Sequence, residues 1–221
     1  YGRLFSHAVE GHESENVEIR EAIGEVTEAV GRRGIWVMDR GGDRRHLYYY
    51  LLPNKHRFLI RVRADRGLQT AQGLTSALEL ARTCPLLFYE SLVREEAGQE
   101  RLVQLSCGMR KVRLPGRREE LTLVVVKGFG EEPLMILTNL PVRRSRKSVW
   151  HVVQSYITRW RIEDVIRFVK QSYRLEDMRC LTYHRLQALM ALVTAAAYFA
   201  AVYLGLRMKL RVLAGHVLRA S

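Results

Sequence analysis

Residues 16–63 alternate between helical and strand patterns, and this alternation limits the fold more than any other feature of the sequence. Apolar residues recur at helical spacing and predict a helix over 16–32. A short apolar run over 34–39 predicts a buried strand, and a second helix is predicted over 43–52. Residues 57–63 alternate as a further strand. The order helix, strand, helix, strand is typical of an α/β domain.

Two aspartates lie at the end of the first predicted strand, in WVMDRGGD (36–43). In open α/β sheets, functional sites form just beyond the carboxyl ends of the strands. This favours a chemical role for Asp39, whereas Asp43 is predicted to be the N-cap of the next helix. The alternative for Asp39 is a residue that only forms the turn.

From residue 64 the pattern changes to short strands separated by glycine and proline. Thr70–Arg82 is ambiguous, with a short helix as one interpretation. Five strands are predicted, over 86–93, 101–105, 109–114, 121–127 and 134–138. Five cations cluster among them: Arg110, Lys111, Arg113, Arg117 and Arg118. A DNA-facing hairpin and a solvated face are equally compatible with this cluster.

A single helix is predicted from Trp150 to Tyr173, after a basic linker over 143–147. With about 100° of rotation per residue, its polar face carries one carboxylate, Glu163, in a row of cations. That row consists of Arg159, Arg167, Lys170 and Arg174, with Tyr156 at its upper end. The simple interpretation is a surface helix in which pairs such as Glu163 and Arg167 contribute about 0.2–0.5 kcal/mol. The excess of cations favours a polyanion or a metal-bound phosphate as the missing partner.

Bulk composition agrees with a nucleic-acid partner. The 221-residue chain has a net charge of +13 and a pI of about 10.1, which attracts polyanions. An anionic membrane surface is the weaker option. Three widely spaced cysteines without a CxxC pair fit a reduced cytosol rather than a zinc ribbon. The uncharged stretch 186–206 has the length of a membrane span, although a helix buried between other helices has the same sequence pattern.

Chemically, two acids from separate elements suit Mg²⁺, which prefers carboxylates, waters and phosphates. At this point a resemblance becomes specific. The spacing Tyr156-x2-Arg159-x3-Glu163-x6-Lys170 is similar to the signature of DDE transposases of the bacterial insertion-sequence type. The context agrees, with TNLP at 138–141 before the signature and a Leu/Ala-rich helix after it. WVMDRGGD resembles the segment that carries the second catalytic Asp of that family.

The resemblance implies a partial ribonuclease H-like α/β domain with a β-rich insertion and a long C-terminal helix. It implies that Asp39 and Glu163 are catalytic, metal-binding acids, and that Tyr156, Arg159 and Lys170 contact DNA. The implied cofactor is Mg²⁺ or Mn²⁺. The implied reaction is nicking at transposon ends followed by attack of a 3′-OH on target DNA, in some members through a hairpin intermediate. It also implies a homodimer in the DNA complex, no membrane partner, and a bacterial, cytoplasmic, nucleoid-associated protein.

One departure from the family pattern is expected to matter. The family places a first Asp on the opening strand of the sheet, but residues 1–38 contain no Asp. We therefore expect an N-terminally truncated chain that does not cleave DNA alone. The predicted segments are 1–63 and 148–221 for the core and 64–147 for the insertion and linker. The alternatives are a non-catalytic DNA-binding remnant, another two-metal nuclease on this fold, and a membrane-associated protein.

Overall fold

A computed structural model describes residues 13–96, 99–160, 163, 166, 167, 170, 171, 177, 179 and 182–217. The side chains of 94–96, 99, 100, 200, 201 and 204–217 are not described. The chain divides into two compact units, one formed by Glu13–Arg161 and the other containing Ile162–Ser221. We call them the sheet unit and the helical unit, and describe each by itself.

The described helices are α1 (Glu15–Val30), α2 (Arg45–Leu51), α3 (Ala77–Arg82), α4 (Arg146–Thr158) and α5 (Tyr183–Val217). Short 3-10 turns cover Gly31–Arg33 and Arg40–Gly42. The strands are β1 (Trp36–Met38), β2 (Phe58–Arg61), β3 (Gly67–Thr70), β4 (Gly73–Ser76), β5 (Leu86–Glu96), β6 (Gln99–Val112), β7 (Leu121–Lys127) and β8 (Leu134–Thr138). This mixture of helices and strands confirms the predicted α/β class.

Six of the strands form one mixed sheet in the order β1-β2-β8-β7-β6-β5. β1 and β2 are parallel, and every other neighbouring pair in this sheet is antiparallel. β3 and β4 form a separate antiparallel pair. The strands of the predicted insertion thus extend the sheet that β1 and β2 begin. The predicted boundaries at 63/64 and 147/148 stay a prediction.

Helices cover both faces of this sheet, which gives three layers. One core cluster joins the sheet to α1, α2 and α3, and the other joins it to α4. Successive residues of β2 alternate between them, with Phe58 and Ile60 in the first cluster and Leu59 in the second. Fully burying such a side chain stabilises the fold by about 1.5–3 kcal/mol. Burial on both faces explains why β7 and β8 are continuous apolar runs.

Several predicted elements differ in detail. The strands predicted over 101–105 and 109–114 are one strand, because Ser106, Cys107 and Gly108 all continue the pairing with β7. A Cβ atom on Gly108 would lie 2.2 Å from the Pro85 carbonyl oxygen, so this glycine permits a close approach between strands. The ambiguous stretch at 70–82 contains the end of β3, β4 and α3.

The helix predicted over 150–173 begins earlier than expected. Ser145 is the N-cap of α4, so Arg146 lies inside the helix rather than in a linker. α4 ends before Arg159, which lies in a turn, although the Arg159 backbone has α-helical dihedral angles. Beyond it, residues 163, 166, 167, 170 and 171 are helical. Arg174, predicted on the same face, lies outside the described residues.

In the helical unit, the prediction of a long C-terminal helix is confirmed by α5, which has 35 residues. Over the part of the chain that the structure describes, no helix is long and apolar enough to cross a membrane.

Candidate active site

Asp39 directly follows β1, at the carboxyl end of the strand, as the sequence predicted. It is exposed, and its Oδ1 accepts a hydrogen bond of 2.9 Å from the Gly41 N–H. Asp39 therefore does form the turn. Within the described residues Oδ2 has no hydrogen-bond partner, so this oxygen remains accessible to a cation. Forming the turn and binding a metal are thus compatible roles for one side chain.

The turn after Asp39 packs closely against the strand that precedes it. Gly42 is buried, and a Cβ atom built there would lie 2.6 Å from the Met38 Cβ. No side chain fits at that distance without movement of the backbone. Gly42 therefore permits the turn to pack this closely against the end of β1.

Asp43 does not have its predicted role. The N-cap position of α2 belongs to Arg44, and the Asp43 side chain is fully buried. Its Oδ1 accepts hydrogen bonds from the Tyr48 hydroxyl at 2.9 Å and from Arg66 Nε at 2.8 Å. Its Oδ2 accepts from the Arg63 backbone N–H at 2.8 Å. The prediction failed because Asp43 has partners about 20 residues away, which a local capping pattern does not reveal.

The chemical environment of Asp43 also acts on Tyr48. Burial raises the pKa of Tyr48 well above its usual range, and the neighbouring Asp43 carboxylate raises it further. The phenol therefore remains protonated and continues to donate to Asp43 at neutral pH. The Arg66 guanidinium lies 5.8 Å from the centre of the Tyr48 ring, which adds a cation–π contact.

Arg44 connects the same turn to the start of α1. Its Nε donates to the Gly41 carbonyl at 2.7 Å. Its two terminal nitrogens donate to Asn16 Oδ1 at 3.1 Å and to Glu15 Oε2 at 2.7 Å. The Asp39 turn is thus held from two directions, by Asp43 and by Arg44.

Residues 128–133, which connect β7 to β8, contact one neighbour of Asp39 and one neighbour of Arg159. Glu132 forms an ion pair with Arg40 at 3.5 Å, next to Asp39. Phe129 packs edge-to-face on Trp160, with ring centres 5.3 Å apart. This connection therefore brings the Asp39 turn and the end of α4 to one region.

Tyr156 lies in the core rather than on a polar face. It is fully buried in the cluster between α4 and the sheet, and its hydroxyl has no hydrogen-bond partner within the described residues. The Arg159 guanidinium lies 5.6 Å from the centre of its ring. This burial argues against direct contact between Tyr156 and DNA in this conformation. A signal was present in the sequence, because Val149, Val152, Val153 and Tyr156 form a buried stripe at helical spacing.

Glu163 and Lys170 belong to the helical unit. Both are helical and exposed, as is Arg167 between them. The three residues have i, i+4 and i+7 spacing, which places them on one side of a helix. Ile166, next to Arg167, is 50% exposed.

The predicted basic hairpin surface is partly neutralised within the protein. Lys111 pairs with Glu120 at 3.0 Å, and Arg117 pairs with Glu119 at 2.6 Å. Arg110 donates to the Thr83 carbonyl. These pairs favour the interpretation of this cluster as a solvated face.

The donor chemistry of the predicted acids fits a hard divalent cation. Asp39 and Glu163 both present exposed carboxylates, and carboxylate oxygens are preferred ligands of Mg²⁺. However, the described residues contain no cluster of three or more His, Cys, Asp or Glu that could hold a metal ion. Neither Asp39 nor Glu163 therefore belongs to such a cluster among the residues described.

Comparison with known proteins agrees with the sequence motifs. A family model described as the transposase DDE domain matches residues 3–199, which is most of the chain. Comparison with curated proteins gives no match.

Proposed function

Because this chain belongs to the transposase DDE domain family, we propose that Asp39 and Glu163 are two metal-binding acids of a DNA cleavage and strand-transfer site. The observation that carries the proposal is the accessible Asp39 carboxylate at the carboxyl end of β1. It has the position expected for a site in an open α/β sheet. The family supports transposase function in general.

The proposed cofactor is Mg²⁺ or Mn²⁺. A pair of such ions supplies activation of the attacking oxygen and stabilisation of the leaving oxygen in phosphodiester chemistry. Asp39 and Glu163 would contribute carboxylate oxygens, and Asp39 would do so while its Oδ1 still accepts from Gly41. Hydrogen bonds from Asp43 and Arg44 hold the Asp39 turn, so the carboxylate is positioned before the cation arrives, which lowers the cost of ordering the site.

The proposed partner is DNA, both transposon ends and target, bound by a homodimer. A net charge of +13 attracts the phosphate backbone. Arg159 and Lys170 would neutralise phosphates near the cleaved bond and fix the register of the DNA without reading bases. The buried Tyr156 would act indirectly, as the aromatic surface on which the Arg159 guanidinium rests.

The first acid of the family pattern has no counterpart in residues 1–38, which contain no Asp. We therefore propose that this chain binds DNA but does not cleave it by itself. The same observation favours a second candidate function, a DNA-binding remnant without chemistry. The two candidates differ in metal binding, since a remnant has no need for a carboxylate cation site.

Titration with Mn²⁺, followed by electron paramagnetic resonance, tests the proposal. We expect the wild-type chain to bind Mn²⁺, and we expect Asp39→Asn and Glu163→Gln each to weaken binding at least tenfold. Glu131→Gln is the matched control, because Glu131 is an exposed carboxylate on the connection between β7 and β8. Equal Mn²⁺ binding by all four proteins would support the remnant instead.

A further inference from the structure

Asp43 is a buried charge that the proposed chemistry does not use. It lies four residues after Asp39, and its side chain has no solvent exposure. A carboxylate removed from water is costly unless charges and hydrogen bonds compensate it. The groups that compensate the Asp43 charge therefore indicate its structural role.

The compensation comes from the segment that follows β2. Arg66 donates two hydrogen bonds to Asp43. Its Nε donates to the carboxylate at 2.8 Å, and a terminal nitrogen donates to the Asp43 backbone carbonyl at 2.7 Å. The Arg63 backbone N–H donates to the other carboxylate oxygen at 2.8 Å. Both the side chain and the main chain of Asp43 are thereby fixed to the segment after β2.

A short series of hydrogen bonds connects this anchor to Asp39. The Asp43 N–H donates to the Arg40 carbonyl at 3.2 Å, and the Gly42 N–H donates to the Asp39 carbonyl at 3.1 Å. The Gly41 N–H then donates to Asp39 Oδ1 at 2.9 Å. The orientation of the Asp39 carboxylate therefore depends on where Asp43 holds the far end of the turn.

We infer that Asp43, held by Arg66, is a positioning residue that orients the Asp39 carboxylate for a divalent cation. Buried ion pairs add little stability compared with apolar residues of similar volume, but they select one geometry in some proteins. A site that needs one carboxylate orientation benefits from that selection. This inference rests on the proposed function of Asp39.

Mn²⁺ binding by the full chain tests the inference. The variants are Asp43→Asn, which keeps the shape of the side chain and removes its charge, and Arg66→Lys, which removes the pair of hydrogen bonds from the guanidinium to Asp43. We expect both to raise the Kd for Mn²⁺ about 10–100-fold, the usual effect of losing a residue that orients a metal ligand. Binding is measured at a temperature where circular dichroism shows each variant to be folded.

Thr138→Val is the matched control. Thr138 is buried and its hydroxyl donates to the Phe58 carbonyl at 2.6 Å. It lies at the opposite end of β2 from Asp39, and its hydroxyl also accepts from the Leu140 N–H at 3.1 Å. This variant therefore loses two hydrogen bonds without touching the turn. We expect its Kd for Mn²⁺ to equal that of the wild type. An equal loss of affinity in Thr138→Val would assign the effect to general destabilisation and overturn the inference.

Asp39→Asn separates the inference from the proposal on which it rests. If Asp39→Asn binds Mn²⁺ like the wild type, the proposed function fails. If Asp39→Asn loses binding while Asp43→Asn and Arg66→Lys keep the wild-type Kd, only the positioning role fails. Should Asp43→Asn not fold, the Kd for Mn²⁺ of Arg66→Lys and of Tyr48→Phe tests the positioning role instead. Tyr48→Phe removes a single hydrogen-bond donor to the Asp43 carboxylate.

Discussion

Two buried tyrosines provide a matched pair in which one substitution has opposite effects. Tyr48 and Tyr156 are both fully buried. The Tyr48 hydroxyl donates to Asp43 at 2.9 Å, whereas the Tyr156 hydroxyl has no partner within the described residues. Replacing either residue by Phe removes one oxygen atom and keeps the ring. The sign of the stability change therefore reports directly on the hydrogen bond.

The magnitudes follow from these contacts. A hydrogen bond to a charged group contributes about 1.5–3 kcal/mol, so Tyr48→Phe should lower the free energy of unfolding by that amount. A buried polar group without a partner costs about 1–3 kcal/mol, so Tyr156→Phe should raise it by that amount. In addition, the affinity for DNA should not change in Tyr156→Phe, because the hydroxyl is inside the core.

Urea denaturation followed by circular dichroism measures both changes, with equal m values as the condition for comparing them. A loss of stability in Tyr156→Phe would contradict the assignment of an unpaired hydroxyl. A tenfold loss of DNA affinity in the same variant, with the fold intact, would instead show that Tyr156 reaches DNA. Either result would refute the role given to Tyr156 here.

Three further changes test separate parts of the structure. Gly42→Ala should lower the free energy of unfolding in urea by about 1–3 kcal/mol through overpacking, whereas Gly130→Ala, with nothing within 4 Å, should not. Burial raises the pKa of Cys107 to about 12, so the folded state keeps a proton that the unfolded state loses above about 8.5. Stability should therefore fall with rising pH in that window, and less steeply in Cys107→Ala, as urea denaturation at each pH would show. Arg159→Ala should reduce the salt dependence of DNA affinity by about one phosphate contact, measured by fluorescence anisotropy, and exposed Arg82→Ala should not.

Local patterns were sufficient for much of the fold. The bounds of β7 and β8 agree with the strands predicted over 121–127 and 134–138. Both are continuous apolar runs whose ends are marked by glycine, proline or a polar residue. The helix predicted over 16–32 also agrees with α1, because its apolar spacing and its Ser14 cap are local features.

Long-range pairing could not be read in the same way. Nothing in the sequence near β2 indicates that β8, more than 70 residues later, is its antiparallel neighbour. For the same reason Asp43 was interpreted as a cap, since its partner Arg66 is 23 residues away. Interactions between distant segments decide both features, and the pattern of a single sequence does not show which distant segments will pair.

At Tyr156 two sequence patterns overlap, one of charged residues and one of apolar residues, and they predict opposite exposure for its side chain. The spacing of the charged residues places Tyr156 at the end of the polar face. The stripe formed by Val149, Val152 and Val153 continues to Tyr156 at helical spacing and predicts burial. Asp39, in contrast, lies where it was expected, because a polar residue directly after a buried strand has few alternatives.

We propose that Asp39 and Glu163 are both metal-binding acids, and local cleavage by bound iron tests this proposal most directly. Fe²⁺ replaces Mg²⁺ in sites of this ligand type, and with ascorbate and peroxide it cuts the backbone near its ligands. We predict fragments ending near both residue 39 and residue 163, both suppressed by excess Mg²⁺. The cut near residue 39 should be lost in Asp39→Asn, and the cut near residue 163 should be lost in Glu163→Gln. Cuts near only one of the two positions, or cuts unchanged in Asp39→Asn, would contradict the claim.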